Sequence, residues 1–250
     1  IFTGVAIFII GMNFMEDGFK LFSGGALEKI LEKFTKTLPK AIFTGFFTTS
    51  IVQSSSLISV ITISFLSVGL ITLTQGIGII FGSNLGSTTT AWLVTLFGLK
   101  LKISSFAMPM IIFGVVFKFL EQRFYKGLGN VLLGLGFIFL GISYMKDGFE
   151  TLKSAIDLAS FAVEGYLGVL IYIAIGFFAT IVIQSSSATI AIVITALAAN
   201  QIVYENALAL AIGSNVGTTV TAIMGSLTSN ENLLSVSRVS IKLLNVPRKP

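Results

Sequence analysis

The chain of 250 residues lacks cysteine and histidine altogether, and only 11% of its residues are charged. Without cysteine it has no disulfide and no thiolate ligand for a metal. Without histidine it lacks the side chain that most often relays protons near neutral pH. An ordinary soluble domain carries about 25% charged residues. The composition therefore excludes an average soluble protein and disfavours chemistry based on proton relays.

Two long stretches contain no charge at all. Residues 41–99 and 165–204 have no Asp, Glu, Lys or Arg, and the whole chain is 54% hydrophobic with 23 phenylalanines. Uncharged apolar runs of about 18 or more residues indicate membrane-spanning helices, and isolated strands cannot span lipid. We therefore predict an all-α polytopic membrane protein embedded in the lipid bilayer. The apolar segments lie near residues 1–15, 39–68, 70–98, 106–120, 127–145, 165–199 and 206–228.

The same polar tetrapeptide, Gln-Ser-Ser-Ser, occurs once in each uncharged stretch. The first Gln-Ser-Ser-Ser motif occupies residues 53–56 and the second occupies residues 184–187, at an offset of 131. A Gly-Ser-Asn segment at residues 82–91 returns at residues 213–222 with the same offset. Each half of the chain therefore carries two polar motifs that are 29 residues apart.

An Asp-Gly-Phe marker also occurs twice, at residues 17–19 and 147–149. Its offset is 130, so one residue has been gained or lost between the marker and the Gln-Ser-Ser-Ser motif. The chain thus consists of two homologous halves. We assign residues 1–125 to repeat 1 and residues 126–250 to repeat 2, which together form one domain.

The positive charges are unevenly distributed among the loops. If one motif-bearing segment of each half spans the membrane and the other re-enters, loops 16–40 and 118–126 and the tail from Arg238 share one side. That side holds 12 of the 16 Lys and Arg residues, and the positive-inside rule assigns it to the cytoplasmic face of the plasma membrane. The net charge of +5 then reflects topology, and no nucleic-acid partner is predicted.

A second topology has both motif-bearing segments of each half spanning the membrane, with parallel repeats and a similar 13 to 3 split of the positive charges. Charge counting does not decide between the two. The two Asp-Gly-Phe markers fall on opposite sides of the membrane only if the chain crosses it an odd number of times between them. This odd number requires one segment of the half to re-enter as a hairpin instead of crossing. We predict two inverted repeats with re-entrant hairpins and broken helices, because duplicated transporter halves usually have that arrangement.

The Gln-Ser-Ser-Ser motifs are too polar for an unbroken membrane helix. Scattered residues such as Ser64, Ser67 and Thr95 are explained by close helix packing. Four contiguous polar residues, in contrast, point all round a helix, and each costs free energy in hydrocarbon unless it is hydrogen-bonded. We predict that the helix breaks at each motif and faces a wet cavity. We also predict that the glycines of the Gly-Ser-Asn segments allow a bend around Asn84 and Asn215.

A broken helix of this kind suits ion binding. A half-helix that begins within residues 54–56 offers hydroxyls and free backbone N–H groups at its positive end, which favours an oxyanion. Unwound carbonyls and the oxygens of Gln, Ser and Thr suit a small alkali cation. Because this two-part site contains no titratable group, sodium is favoured over protons as coupling ion. Cotransported cations would then neutralise the anion in place of Lys or Arg.

The paired Gln-Ser-Ser-Ser motifs, each followed by Gly-Ser-Asn-x-Gly-[Ser/Thr]-Thr, resemble those of the type II sodium-phosphate cotransporter family, over roughly residues 11–227. The resemblance implies an inverted-repeat fold with re-entrant hairpins, inorganic phosphate as substrate, sodium as driving ion without an organic cofactor, and a homodimer. The phosphate ligands that it implies are Ser54, Ser55, Ser56, Ser185, Ser186 and Ser187. The sodium ligands that it implies are Gln184, Ser185, Ser214, Thr218 and Thr221, with Gln53, Ser83, Asn84, Ser87, Thr90 and Asn215 as symmetry-related candidates.

Taken together, these features predict a transport domain that couples sodium influx to phosphate uptake by alternating access. Three alternatives stay open: a sodium-coupled carrier of sulfate or a dicarboxylate, an ion channel that uses the polar breaks as a filter, and a phosphate-sensing membrane subunit. An enzyme is not expected, because neither serine run has a His, Lys or Asp partner in the membrane segments.

Overall fold

The computed structural model describes residues 1–23, 26–67, 69–100, 104–155 and 165–228. Within these ranges all regular secondary structure is helical. The helices are α1 (Phe2–Ser23), α2 (Ala26–Lys33), α3 (Leu38–Val52), α4 (Ser55–Ser67), α5 (Leu73–Trp92), α6 (Ser104–Lys118), α7 (Arg123–Ala155), α8 (Gly165–Ile183), α9 (Ser186–Ala198) and α10 (Tyr204–Thr228), with a π-helical segment (Leu93–Lys100) that continues α5. The predicted all-α membrane protein is confirmed.

Three of these helices are long and apolar enough to cross a membrane: Phe2–Leu21, Arg123–Lys153 and Gly165–Ile183. The helices on either side of the first Gln-Ser-Ser-Ser motif are shorter, with 15 residues in α3 and 13 in α4. At about 1.5 Å per residue neither reaches across the ~30 Å hydrocarbon core. Their lengths are those expected of a re-entrant hairpin, which stays a prediction.

The duplication is visible in the bounds of the helices. The predicted apolar segments 39–68 and 165–199 are each divided into two helices at the motif. Shifted by 131 residues, both ends of α4 coincide with those of α9, and the start of α5 coincides with that of α10. The three-helix unit α3, α4 and α5 therefore recurs as α8, α9 and α10.

The glycines of the Gly-Ser-Asn segments lie where two helices pack closely. Helices α5 and α10 run unbroken through Asn84 and Asn215, so the chain does not unwind there, and a bend at these residues stays a prediction. A Cβ atom on Gly82 would collide with the backbone carbonyl of Ile42, and one on Gly213 would collide with that of Ile173. The missing side chains thus let α3 approach α5, and α8 approach α10, at backbone contact.

Helices α1 and α7 pack antiparallel, and they carry the two Asp-Gly-Phe markers. Gly18 in the first marker lies against Gly127, whereas Gly148 in the second lies against Ile1, at the other end of the helix pair. The two copies of the marker helix therefore point in opposite directions. Inverted halves require this orientation, and inversion of the complete halves stays a prediction.

The two halves also interlock through their motif helices. Helix α4 packs on α5 of its own half and on α10 of the other, and α9 packs on α10 and on α5. A buried apolar cluster that includes Phe8, Ile142, Met145 and Ala188 joins α9 to α1 and α7. This packing brings the N-terminal ends of α4 and α9 to one place beside α1.

Candidate functional site

Both Gln-Ser-Ser-Ser motifs interrupt their helices at the glutamine, as predicted. Gln53 has φ 59° and Gln184 has φ 57°, in the left-handed region that residues other than glycine rarely adopt. Each glutamine N–H donates a hydrogen bond of 2.7 Å to the carbonyl oxygen four residues earlier, that of Thr49 or Thr180. The incoming helix thus ends with its last turn closed, and the chain turns away.

The second residue of each motif caps the outgoing helix. The Ser54 hydroxyl accepts the N–H of Leu57 at 3.3 Å, and the Ser185 hydroxyl accepts the N–H of Ala188 at 3.2 Å. Serine is favoured at this position because it satisfies one of the N–H groups that the first turn leaves open. The last two serines of each motif then stand in the first turn, at the positive end of the helix.

The two motifs line a single cavity of about 350 Å³. Eight of its lining residues are the motif residues themselves, namely Gln53, Ser54, Ser55, Ser56, Gln184, Ser185, Ser186 and Ser187. Its remaining wall contains Ile9, Met12, Asn13 and Glu16 of α1 together with Ile183. The six serines predicted from the sequence are therefore brought together, and the predicted cavity at the helix breaks is confirmed.

The first motif is tied to α5 through its glutamine. Gln53 Nε2 donates to Thr89 Oγ1 at 2.8 Å and to the Ser50 carbonyl at 2.6 Å, and the Thr90 hydroxyl donates to Gln53 Oε1 at 2.7 Å. Gln53 is only 6% exposed. Thr90 Oγ1 also lies 3.2 Å from Ser187 Oγ. Thr90 therefore links the first motif to the second across the boundary between the halves.

The glutamine of the second motif has a different environment. Gln184 is exposed on the cavity wall, whereas Gln53 is buried. The side chain of Thr221, the repeat counterpart of Thr90, lies outside the described residues. The two motifs thus have the same backbone conformation and the same serine cap, and both glutamines line the cavity, but only Gln184 is exposed.

A layer of buried hydroxyls lies behind the motifs. Thr49 Oγ1 donates to Ser83 Oγ at 2.9 Å, and Thr180 Oγ1 donates to Ser214 Oγ at 3.0 Å. Ser214 Oγ in turn donates to the carbonyl of Ser186 at 3.3 Å. All four of these hydroxyl-bearing residues are fully buried. The predicted sodium ligands Ser83 and Ser214 therefore stand next to the motif helices and outside the cavity lining.

The other predicted sodium ligands are divided between buried and exposed positions. Ser87 and Thr218 are buried, and each hydroxyl donates to a carbonyl within its own helix. Asn84 and Asn215 are exposed on α5 and α10 and do not line the cavity. The structure thus brings Gln53, Gln184 and Ser185 to the cavity, with Thr90 beside them, and leaves the two asparagines outside.

Glu16 is a cavity residue that sequence reasoning missed, and it corrects one of the predictions. Glu16 lines the cavity, its side chain is 26% exposed, and its Oε1 lies 2.8 Å from Lys20 Nζ. The expectation of a site without a titratable group is therefore wrong. Glu16 therefore places a carboxylate, already paired with Lys20, in the wall of the cavity.

The spacing of residues along α1 is a weak sequence signal for this part of the cavity wall. Ile9, Met12, Asn13 and Glu16 are spaced as neighbours on one helix face. The first apolar segment ends near residue 15, so the sequence predicts Glu16 to lie in the charged loop 16–40. In the structure α1 continues to Ser23, so Glu16 is inside the helix and not beyond its end.

The donor chemistry of the site consists of hard oxygen ligands. Hydroxyls, amide oxygens, backbone groups and one carboxylate line the cavity. Among the described residues, no group of three or more His, Cys, Asp or Glu side chains is placed so that it could hold a metal ion. Oxygen donors of this kind suit hard cations and do not suit softer metals such as zinc and copper.

Comparison with known proteins agrees with this chemistry. Residues 7–147 and 164–246 match the family described as Na+/Pi-cotransporter. The uncharacterized protein YqeW of Bacillus subtilis is 32% identical over 230 residues, which cover 90% of this chain and 72% of that protein.

Two further relatives, from Salmonella typhimurium and Escherichia coli, are each named "Putative inorganic phosphate export protein YjbB". Each is 27% identical over 230 residues, which cover 91% of this chain. The chain spans 41% of the length of each of these two proteins. No solved structure matches the chain.

Proposed function

The chain belongs to the Na+/Pi-cotransporter family, and on this premise we propose that it is a secondary active symporter that couples sodium influx to the uptake of inorganic phosphate. The observation that carries the proposal is that two motifs 131 residues apart line one cavity. A polar cavity formed by both halves of a duplicated membrane protein is the typical position of a transporter's substrate site.

Phosphate is the substrate that the serine-rich walls favour. Helices α4 and α9 both begin at the cavity, at Ser55 and Ser186. Each first turn offers backbone N–H groups without an intrahelical partner and the positive end of the helix dipole. Two such ends with six serine hydroxyls can donate hydrogen bonds to several oxygens of one tetrahedral anion at once.

Sodium is the cation that the remaining donors favour. The exposed Gln184 amide and the Ser185 hydroxyl reach the cavity, and Ser214 lies within hydrogen-bonding distance of the Ser186 carbonyl. We propose that these groups, with Thr218 and Thr221, hold a sodium ion beside the phosphate. The ion would offset part of the anion's charge, which gives a physical reason for obligatory coupling.

We propose that transport proceeds by alternating access, which the way the halves meet supports. The antiparallel marker helices α1 and α7 support an inverted arrangement of the halves. Thr90 and Ser187, 3.2 Å apart, form a polar contact between the halves next to the cavity. We propose that the halves move relative to one another about the cavity, and that this contact changes as the cavity opens to one side and then to the other.

Phosphate export is a second candidate function, which the name of the two YjbB relatives favours. A symporter runs in the direction set by the combined gradients of its ions, so the same cavity serves either direction. Loading proteoliposomes with labelled phosphate and applying sodium inside or outside measures the preferred direction. Efflux that needs no sodium gradient would favour the export function.

We further propose a homodimer in the plasma membrane. The part of the predicted loop 16–40 that follows the end of α1 at Ser23, the loop 118–126 and the tail from Arg238, which lies outside the described residues, are proposed to be on the cytoplasmic side. The absence of native cysteine allows single cysteines at Lys36 and Lys126 to be labelled from either side of sealed vesicles. Light scattering of the purified protein measures the oligomeric state. Labelling of the two positions from opposite sides would contradict the topology, and a monomer would contradict the dimer.

Uptake into proteoliposomes tests the proposed function. We expect labelled phosphate to accumulate under an inward sodium gradient and to stop accumulating when potassium or choline replaces sodium. Competition with arsenate and sulfate defines the anion. Uptake that is unchanged without sodium would disprove the coupling, and accumulation of sulfate in preference to phosphate would disprove the substrate.

A further inference from the structure

The cavity has one charged wall that the duplicated motifs do not supply. Glu16 and Asn13 stand three residues apart on α1, on the face that lines the cavity. All other polar lining residues belong to the two Gln-Ser-Ser-Ser motifs and are neutral. The negative charge of the cavity is therefore concentrated on α1, opposite the serine-bearing ends of α4 and α9.

This charged wall is not repeated in the other half. At the marker offset of 130, the counterparts of Asn13 and Glu16 are Ser143 and Lys146, and neither lines the cavity. Lys146 pairs with Glu150 at 3.8 Å along α7. The order of the charges is thus reversed between the copies, so Glu16 makes a symmetric cavity electrically asymmetric.

The ion pair of Glu16 leaves the carboxylate accessible to another cation. Its partner Lys20 is 46% exposed and also lies 3.8 Å from Asp17 Oδ1. An exposed pair four residues apart on a helix contributes little to stability. A cation that enters the cavity can therefore replace Lys20 at Glu16 without a large loss of folding free energy.

We propose that Glu16, together with the amide oxygen of Asn13, binds a cotransported sodium ion on the α1 side of the cavity, and that this ion binds before phosphate. The inference rests on the proposed function and adds a cation position apart from the ligands on α9 and α10. A carboxylate and an amide are hard oxygen donors suited to sodium. The bound sodium takes the place of Lys20 at Glu16 and puts a positive charge at the cavity wall, beside the anion.

The test compares Glu16→Gln with Asp17→Asn. Both variants remove one carboxylate from the same helix and from the reach of the same lysine, but only Glu16 lines the cavity. In sodium titrations of phosphate uptake, we expect Glu16→Gln to raise the half-saturating sodium concentration by about tenfold or more, and Asp17→Asn to change it by less than about twofold. Glu16→Asp keeps the charge and is expected to recover most of the sodium affinity.

A second readout needs no transport. Sodium chloride added to purified wild-type protein without phosphate is expected to raise its unfolding temperature relative to choline chloride. We expect Glu16→Gln to reduce this shift and Asp17→Asn to retain it. The monodisperse elution and choline unfolding temperature of each variant establish that it is folded, and an unfolded Glu16→Gln is replaced in the test by Asn13→Ala with the same expected loss.

The outcomes separate this inference from the proposed function. If wild-type uptake does not depend on sodium, the proposed function fails. If wild-type uptake depends on sodium but Glu16→Gln and Asp17→Asn have equal sodium affinities in both readouts, the function stands and the sodium position on α1 is disproved.

Discussion

The two Gln-Ser-Ser-Ser motifs have nearly the same backbone but differ in what their glutamines do. Gln53 is buried and hydrogen-bonded to α5, whereas Gln184 is exposed on the cavity wall. The turn angles of 59° and 57° and the serine caps of 3.3 Å and 3.2 Å are equivalent in the two copies. Duplication therefore preserved the break in the helix, while the glutamines diverged between a structural and an exposed position.

The difference in exposure between the two glutamines predicts different roles for residues at equivalent positions. The last serines of both motifs occupy equivalent positions at helix starts and line the cavity together. The two glutamines differ in exposure, and only the first half contributes a charged residue, Glu16, to the cavity wall. Equivalent serines are thus expected to respond alike to substitution, and equivalent glutamines are expected to respond differently.

The largest effect is expected for the serines in the first turns. Ser55→Ala and Ser186→Ala each remove a hydroxyl that we propose donates to phosphate, and a hydrogen bond to a charged group contributes about 1.5–3 kcal/mol. We expect each to weaken phosphate transport by about 10- to 100-fold with an unchanged unfolding temperature. Ser64→Ala, which removes only a bond to the Val60 carbonyl within α4, is the control. Loss in one copy alone would show that the motifs do not share a phosphate.

The two glutamines are expected to respond differently to substitution. We expect Gln53→Ala to lower the free energy of unfolding by about 1–3 kcal/mol, because it leaves buried partners on Thr89 and Thr90 unsatisfied. We expect Gln184→Ala to lower transport while the folded protein stays as stable as wild type. Denaturation of the purified protein and uptake assays measure the two effects. Equal loss of stability in both variants would favour a purely structural role for both motifs.

A smaller effect is expected at the contact between the halves. Thr90→Val keeps the shape of the side chain but removes the hydroxyl near Gln53 and Ser187. We expect a loss of stability of about 1 kcal/mol and a change in the rate of transport larger than the change in phosphate affinity. Thr88→Val, whose hydroxyl bonds only within its exposed helix turn, is the matched control and should change neither quantity.

The smallest effect is expected for the exposed asparagines. Asn84→Ala and Asn215→Ala alter side chains outside the cavity, so we expect sodium affinity to change by less than about twofold in uptake assays. A tenfold loss, ~1.4 kcal/mol, would return both residues to the set of sodium ligands that the family resemblance implies.

Sequence reasoning found the features that depend on local chemistry. Contiguous polar residues cannot continue through a membrane helix, so the breaks at Gln53 and Gln184 and the serine-lined cavity followed from the motifs. The close helix packing at Gly82 and Gly213 was not predicted, because glycine supports both backbone freedom and close helix packing. A single sequence does not distinguish these uses, since the difference depends on the helix that packs opposite.

Other features of the site depend on contacts between distant residues. Thr90 and Ser187 meet across 97 positions of sequence, and nothing in either motif indicates this pairing. Glu16 was missed because it stands beside Asp17 and Lys20, where charge is typical of a loop at the membrane surface. Its position in the cavity wall depends on the packing of α1 beside both helix starts.

Counting the phosphate ions bound per chain tests most directly the central claim that two distant motifs form one anion site. Calorimetric titration of phosphate into purified wild-type protein at saturating sodium is predicted to give one ion per chain, with affinity lost in both Ser55→Ala and Ser186→Ala. Two ions per chain, each lost in only one of these variants, would contradict the shared site.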